Sequence, residues 1–376
     1  MLYLKLAKTY HKKYDYLIVG AGFAGSVFAE RLASQLDKKI LLVEKRNHVA
    51  GNAYDELDKH GILIHRYGPH IFHTNSKKVF DYLSQFTKWR FYEHKVLAFL
   101  NGNLFPVPIN RITLNKLYDF NFQTEKEVND YINSIKVIRY PVLNSEDVIV
   151  SKMGNDLFEK FFRHYTKKQW GREPKELAAS VCGRIPIRTN DDCRYFTDNF
   201  QFMPSDGYSA MFHNMLNHPN IEIVLNTDYK KIIDNVKFHK MIYTGPIDYF
   251  FDYEFGGLPY RSIKFEFINY PQESIQDNAV INYVEKNVNY SRVTEYKYLT
   301  GQKSETSTIS REFFQQEGDP FYPIPTEHNK ELYDRYFELT KSLESVLFCG
   351  RLAEYQYYNM DQVVANILHL FEKNIL

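Results

Sequence analysis

The chain has 376 residues, 44% of them hydrophobic, with 47 Lys and Arg against 46 Asp and Glu. The length exceeds one ordinary domain of ~150 residues, and the composition excludes wholesale disorder. Near-zero net charge supplies no field to draw nucleic acid or an anionic membrane, so any charged ligand must be held by local groups. Aromatic residues reach 16%, with 30 Tyr, 29 Phe and 2 Trp, which fits either compositional bias or a site lined with rings and phenols. Cys182, Cys193 and Cys349 make an odd number without metal-ligand spacing. That argues against a disulfide framework and for a reducing compartment, the cytoplasm.

Residues 1–14 carry four lysines and Leu17–Ala29 is a run of 13 uncharged residues, which imitates a secretion signal. Asp15 breaks the approach, three glycines interrupt the run, and no small-residue cleavage site comes after it. The run is also too short to span a bilayer, so residues 1–12 read as a dispensable tail on a soluble protein. Tyr16–Val19 then reads as a buried strand, Gly20–Gly25 as a turn, and Ser26–Leu36 as an amphipathic helix. Lys39–Val43 is a second buried strand that ends at Glu44. Continuous apolar strands of this kind belong to parallel sheets covered on both faces. Residues 77–88 read as helix, and Val96–Leu100 with Leu104–Val107 as a hairpin around Asn101-Gly102-Asn103. Residues 110–180 read as several short helices. Residues 185–205 and 260–325, rich in Tyr, Phe, Val, Thr and Pro, read as short antiparallel strands and loops. Ile221–Leu225, Lys240–Tyr243 and the strand beginning at Val346 return to the first style. Met360–Ile375 is a helix with Val363, Ile367, Leu370 and Phe371 on one face. The pattern predicts an α/β, doubly wound domain interrupted by two insertions.

Gly20-x-Gly22-x-x-Gly25 is a weak signal alone. Here it comes after a strand and opens a helix, and Glu44 closes the next strand 19 residues after Gly25, which makes it a dinucleotide fingerprint. The glycines, with Phe23 and Ala24 between them, let the backbone approach a pyrophosphate on the helix N-terminus. Glu44 accepts from a ribose hydroxyl and excludes a 2′-phosphate. The early fingerprint and the Lys45-Arg46 continuation favour tightly held FAD over NAD. Gly51 and Asn52 lie in a second cationic, glycine-bearing loop beside the adenosine.

Five further motifs occur in order: Tyr67-Gly-Pro-His70-Ile-Phe-His73-Thr74-Asn75, Tyr165-Thr-Lys-Lys-Gln-Trp170-Gly171, Arg184-Ile-Pro-Ile-Arg188, Tyr243-Thr-Gly-Pro-Ile-Asp248 and Gly350-Arg-Leu-Ala-Glu-Tyr355. From about residue 14 to the C-terminus the sequence resembles the bacterial UDP-galactopyranose mutase family. The resemblance implies a Rossmann-like FAD-binding domain formed by residues 13–80, 206–248 and 326–376. It further implies a helical domain over 108–180 and an antiparallel sheet domain over 81–107, 181–205 and 249–325. The implied enzyme is an isomerase in which N5 of a reduced flavin attacks the anomeric carbon of UDP-galactopyranose. UDP leaves and returns while the sugar recloses as a furanose, destined for surface polysaccharide such as capsule or lipopolysaccharide. NAD(P)H or another reductant is needed only to activate the flavin, and the family implies a homodimer.

The resemblance also assigns residues. Arg184 and Arg292 fall on the two diphosphate arginines, whose planar forks suit phosphate oxygens. Arg184 lies in a Cys182-Gly183-Arg184 stretch that fits a loop closing over substrate. Tyr195, Tyr322 and Tyr357 complete the phosphate cradle with neutral phenols. Tyr165 and Thr166 fall beside uracil, Trp170 beside the sugar, and Asn282 on the uridine side. His70 is placed against the flavin and His73 near its reactive face, as orienting or polarising groups; a metal reading of the pair lacks a third ligand. Gly350, Arg351 and Met360 cover the far end of the cofactor. Three positions depart from the family pattern: Ala50 for a glycine, Asn359 for an aspartate and His94 for an asparagine. The last two face the hexose, so galactose and its 2-acetamido analogue, carried on UDP-N-acetylgalactosamine, both stay open. The competing class is an FAD-dependent oxidoreductase of amine-oxidase type, which shares the fingerprint but has no use for a diphosphate clamp.

Overall fold

Five short apolar strands lie in parallel, in the order Ile221–Val224, Ile40–Val43, Lys13–Val19, Lys237–Tyr243 and Val346–Phe348. The computed structural model describes residues 13–183 and 186–374. Side chains alternate across this sheet. Ile18, Leu42 and Ile242 enter one core, while Leu17, Leu41 and Met241 enter the core on the opposite face. Over the first face lie the helices Phe23–Leu36, Gly207–Met215 and Met360–Asn374, which contribute Val27, Phe28, Leu32, Phe212, Val364 and Ile367. Each such fully buried side chain contributes roughly 1.5–3 kcal/mol. This layered, Rossmann-like unit is the predicted one, although the strand expected at Lys240 begins at Lys237.

The second sheet has seven strands in the order Tyr322–Pro323, Tyr260–Tyr270, Ser307–Gln315, Arg292–Glu295, Val280–Tyr283, Val96–Leu100 and Asn103–Val107. It is antiparallel except where Val280–Tyr283 runs parallel to Val96–Leu100. Tyr260–Tyr270 and Ser307–Gln315 pair continuously from Ser262↔Gln315 to Tyr270↔Ser307, longer than the short strands predicted there. Neither segment contains glycine or proline, and both carry Phe and Ile, with Tyr in the first and Thr in the second, so nothing breaks the ladder. The predicted hairpin is present: Asn101 and Gly102 both have positive φ, 49° and 75°, as a tight two-residue turn requires.

Residues predicted to be helical give Arg111–Tyr118, Glu125–Ile135 and Ser145–Leu157. Asn110, Thr124 and Asn144 cap their N-termini, Thr124 in a capping box with Glu127. The third helix breaks at Gly154, whose φ is 79° and where a Cβ would lie 2.4 Å from the Ile135 carbonyl oxygen. The chain then passes through a π-helical stretch, Phe158–Arg163, into the α-helix His164–Trp170. A π segment rotates the next turn relative to an unbroken helix, and here that turn carries Tyr165.

Two predictions need correction. The helix expected over 77–88 ends at Leu83, because the Ser84 hydroxyl donates to the Phe80 carbonyl and accepts from Trp89 Nε1. Trp89–Phe91 instead joins Phe72–Thr74 and Phe200–Pro204 in a three-stranded sheet. The stretch 185–205 supplies only the strand Phe200–Pro204, while its described residues before Phe200 are irregular apart from a bridge between Arg194 and Lys95. Among the described residues no helix is long and apolar enough to cross a membrane.

Candidate functional site

Three parallel strands deliver their C-terminal ends to one crevice. Gly25 sits where a Cβ would lie 1.9 Å from the Gly20 carbonyl oxygen, so strand and helix close together only on glycine. The helix Phe23–Leu36 opens at Gly22 without a side-chain cap among the described residues, which leaves its N-terminus open to an anion. Glu44 is buried; its Oε2 accepts from Ala21 N at 2.9 Å and its Oε1 from Arg46 N at 2.8 Å, with lone pairs left for a hydroxyl. The Arg46 guanidinium lies 4.2 Å from the centre of the Tyr67 ring, donates to Asn52 Oδ1 and pairs with Asp319. Lys45 is exposed, with its ammonium 5.9 Å from the Tyr249 ring. Gly51 lies against Gly22, and Gly350 against Ala24. Uncapped N–H groups, a glycine-only close approach and a buried acid at the next strand end fit an extended dinucleotide.

Beyond this crevice stands a half-buried cation. Arg292 opens the strand Arg292–Glu295 and donates from Nη2 to the Tyr165 hydroxyl at 3.0 Å and from Nε to Asn282 Oδ1 at 3.2 Å. Its Nη1 lies 3.5 Å from Glu312 Oε2; the two residues are direct cross-strand partners, and Glu312 is almost wholly buried. Burial opposes the Arg292 charge, while Glu312, Tyr165, Tyr322 and Tyr195 hold it in place. The Glu312 carboxyl is pushed up by burial and drawn back by Arg292, and its Oε1 has no partner among the described residues. The Tyr322 ring is 5.4 Å from Tyr357 and 6.2 Å from Trp170. The Arg351 guanidinium reaches both phenols, at 5.6 and 5.4 Å. Arg351 Nη2 donates to the Phe321 carbonyl, but its buried Nε has no partner among the described residues. Burial raises the Tyr165 and Tyr322 hydroxyls, so both stay protonated donors.

Three histidines edge the cluster. His70 Nδ1 lies 2.9 Å from the Gly68 carbonyl oxygen, and burial pushes the ring down to about 4, helped by Arg351 nearby. His94 Nδ1 lies 3.1 Å from the Tyr92 hydroxyl, and burial beside Arg292 and His73 pushes it down to about 3. Both are therefore neutral at physiological pH. His73 Nδ1 pairs with Asp198 Oδ2 at 3.0 Å, and its ring stacks 3.6 Å from Phe196.

A family model for UDP-galactopyranose mutase matches residues 160–357, and one for an NAD(P)-binding Rossmann-like domain matches residues 18–86. A dTDP-fucopyranose mutase of Escherichia coli is 36% identical over 372 residues, covering 95% of this chain and 98% of that protein. A "Probable UDP-galactopyranose mutase" of Klebsiella pneumoniae is 36% identical over 360 residues, covering 94% and 92%. The chain belongs to the UDP-galactopyranose mutase family. As such it is one of a group of sugar-nucleotide isomerases. A crystal structure of reduced UDP-galactopyranose mutase shares the fold, with a TM-score of 0.76 at 16% identity over 96% of this chain and 94% of that one.

In this member of the mutase family, Arg292 bonds Tyr165 and Asn282 and has Tyr195, Tyr322 and His94 nearby, while Tyr322 lies against Trp170, Tyr357 and Arg351. Thr166 stands apart from them, buried with its hydroxyl 3.9 Å from Cys182 Sγ. Asn359 precedes the helix that Met360 opens, and its backbone N donates to Gln362 Oε1. Arg184 and residues 1–12 lie outside the described residues. Glu312, Asp198 and Phe196 were not singled out by sequence. Glu312 carries no local signal in the sequence, whereas Asp198 and Phe196 lie within three positions of Tyr195.

Proposed function

We propose that the protein is a flavin-dependent mutase that interconverts UDP-galactopyranose and its furanose form. The observation that carries this reading is the half-buried Arg292 guanidinium, clasped by Glu312, Asn282 and Tyr165 and flanked by phenols next to a dinucleotide crevice. FAD fits that crevice, and when reduced it supplies the nucleophile, N5, that takes the anomeric carbon. The remaining work belongs to the chain. Arg292, with Arg184, holds the diphosphate through its departure and return, a fixed positive charge aimed where negative charge develops. Tyr195, Tyr322 and Tyr357 donate hydrogen bonds to the same oxygens without adding charge that would trap UDP. Arg351 lies near Tyr322, Tyr357 and His70, and the neutral His70, together with His73, orients the cofactor ring. Tyr165 and Trp170 cover the uridine and sugar and exclude water.

The identity of the hexose is the second question. Asn359 and His94 replace family residues on the sugar side, and one relative of equal identity is a dTDP-fucopyranose mutase. UDP-N-acetylgalactosamine and dTDP-fucose are therefore tested beside UDP-galactose. NAD(P)H as reductant, a homodimer and a cytoplasmic location belong to the same reading. An amine-oxidase role gains no support from a half-buried arginine flanked by phenols.

The test is to incubate dithionite-reduced protein with each sugar nucleotide and separate pyranose from furanose by anion-exchange chromatography. A furanose peak that requires reduction is the expected result. No peak from any substrate, with a flavin that reoxidises after reduction by an added amine, would overturn it.

A further inference from the structure

Behind the Arg292 cluster a second cation is held by carbonyls in place of a carboxylate. Lys168, on the helix His164–Trp170, donates from Nζ to the carbonyl oxygen of Tyr283 and lies 3.1, 3.2 and 3.2 Å from those of Glu285, Val288 and Tyr290. An ammonium has three N–H donors, so four converging acceptors saturate it. Burial pushes Lys168 down to about 8, partly offset by Glu285, so it still carries its proton at neutral pH.

The placement of those carbonyls gives the contact its meaning. They belong to the chain that links the strand Val280–Tyr283, which carries Asn282, to the strand Arg292–Glu295, which carries Arg292. The helix that supplies the ammonium also supplies Tyr165, bonded to Arg292, and Trp170, beside Tyr322. The end of the same helix is held by Arg261, whose Nε donates to the Gln169 carbonyl at 3.0 Å and Nη2 to that of Lys168 at 3.3 Å. Arg261 is in turn the direct cross-strand partner of Tyr322. One short helix is thus fastened to both parts of the second sheet that hold phosphate-side groups.

We infer that Lys168 is a positioning residue for the nucleotide: its ammonium gathers the 283–290 chain so that Asn282 and Arg292 face Tyr165 in the geometry that binds the diphosphate. The inference rests on the function proposed above. Charge-assisted bonds to several carbonyls suit such a role, because they fix a loop without presenting a free cation to the substrate.

The test compares wild type with Lys168→Ala and Lys168→Met as flavin-loaded, full-length proteins. Binding is measured with UDP by calorimetry and turnover with UDP-galactose. Both variants are expected to keep their flavin and circular dichroism, to bind UDP about ten-fold more weakly with KM raised in step, and to change kcat much less. Ammonium chloride is expected to restore UDP binding in the alanine variant, where the carbonyls can take up a free ammonium ion, and not in the methionine variant. UDP binding equal to wild type in a folded variant overturns the inference. So does weakened binding that ammonium leaves unchanged in the alanine variant, since that reports general loss of packing. Failure of both variants to fold makes Lys168 a folding residue and overturns it as well. If wild type itself binds no UDP, the functional reading has failed; if wild type binds it and the variants bind equally, only the role of Lys168 falls.

Discussion

At the glycine turn a diphosphate would meet backbone N–H groups of one short stretch from Gly22 onward, while at Arg292 it would meet side chains from strands, a helix and loops scattered between Tyr165 and Tyr357. The first site is made by the absence of side chains and the second by their convergence. The two therefore respond differently to mutation. A single added methyl closes the backbone site, whereas the side-chain site loses its members one at a time and can be retuned at its edge.

Gly25→Ala places a Cβ 1.9 Å from the Gly20 carbonyl oxygen, so the purified variant is expected to be colourless and inactive. The ratio of flavin to protein absorbance reads this directly, and a normally yellow variant would dissolve the contrast between the sites. Arg292→Ala should keep its colour and lose about 100- to 1,000-fold in kcat, the usual effect of removing one preorganised charge donor. It also leaves Glu312 buried without its ion partner, which costs about 3–5 kcal/mol in urea unfolding. Adding Glu312→Gln should recover part of that stability and none of the activity. Recovery of turnover would move Arg292 out of the phosphate site.

The neutral histidines give a pH dependence. His94 is held at about 3 in the folded protein, whereas the unfolded chain takes up its proton near the ordinary value of about 6.5. Between those values the unfolded state binds more protons, so stability falls as pH drops through that window and is level above it with respect to this group. His94→Asn should therefore show a shallower fall in urea midpoint from about pH 6.5 to about pH 4. A slope as steep as wild type would remove His94 from this account. At the outer edge, Asn359→Asp is expected to shift the kcat/KM ratio of UDP-galactose to UDP-N-acetylgalactosamine by only a few-fold. An unchanged ratio would take Asn359 out of specificity.

The same contrast decides what could be read from sequence. The fingerprint is local: strand, glycines, helix and Glu44 come one after another, and each constrains the next. The Asn101-Gly102 turn is legible for the same reason. Trp89–Phe91 is not, because its pairing with Phe200–Pro204 depends on residues over a hundred positions away. Glu312 looks like an ordinary charged strand residue until the register sets it opposite Arg292. Lys167 and Lys168 are indistinguishable in sequence, yet one helical step leaves Lys167 exposed on Glu173 and turns Lys168 into a ring of carbonyls.

The strand order of the parallel sheet also sets a timetable for synthesis. Lys13–Val19 is made long before its neighbour Lys237–Tyr243, and the edge strand Val346–Phe348 later still. Gly350 and Arg351 come directly after that last strand. A nascent chain thus carries an incomplete crevice until the strand Val346–Phe348 docks. A chain halted before Val346 would keep the glycine turn and lack Gly350, which packs against Ala24.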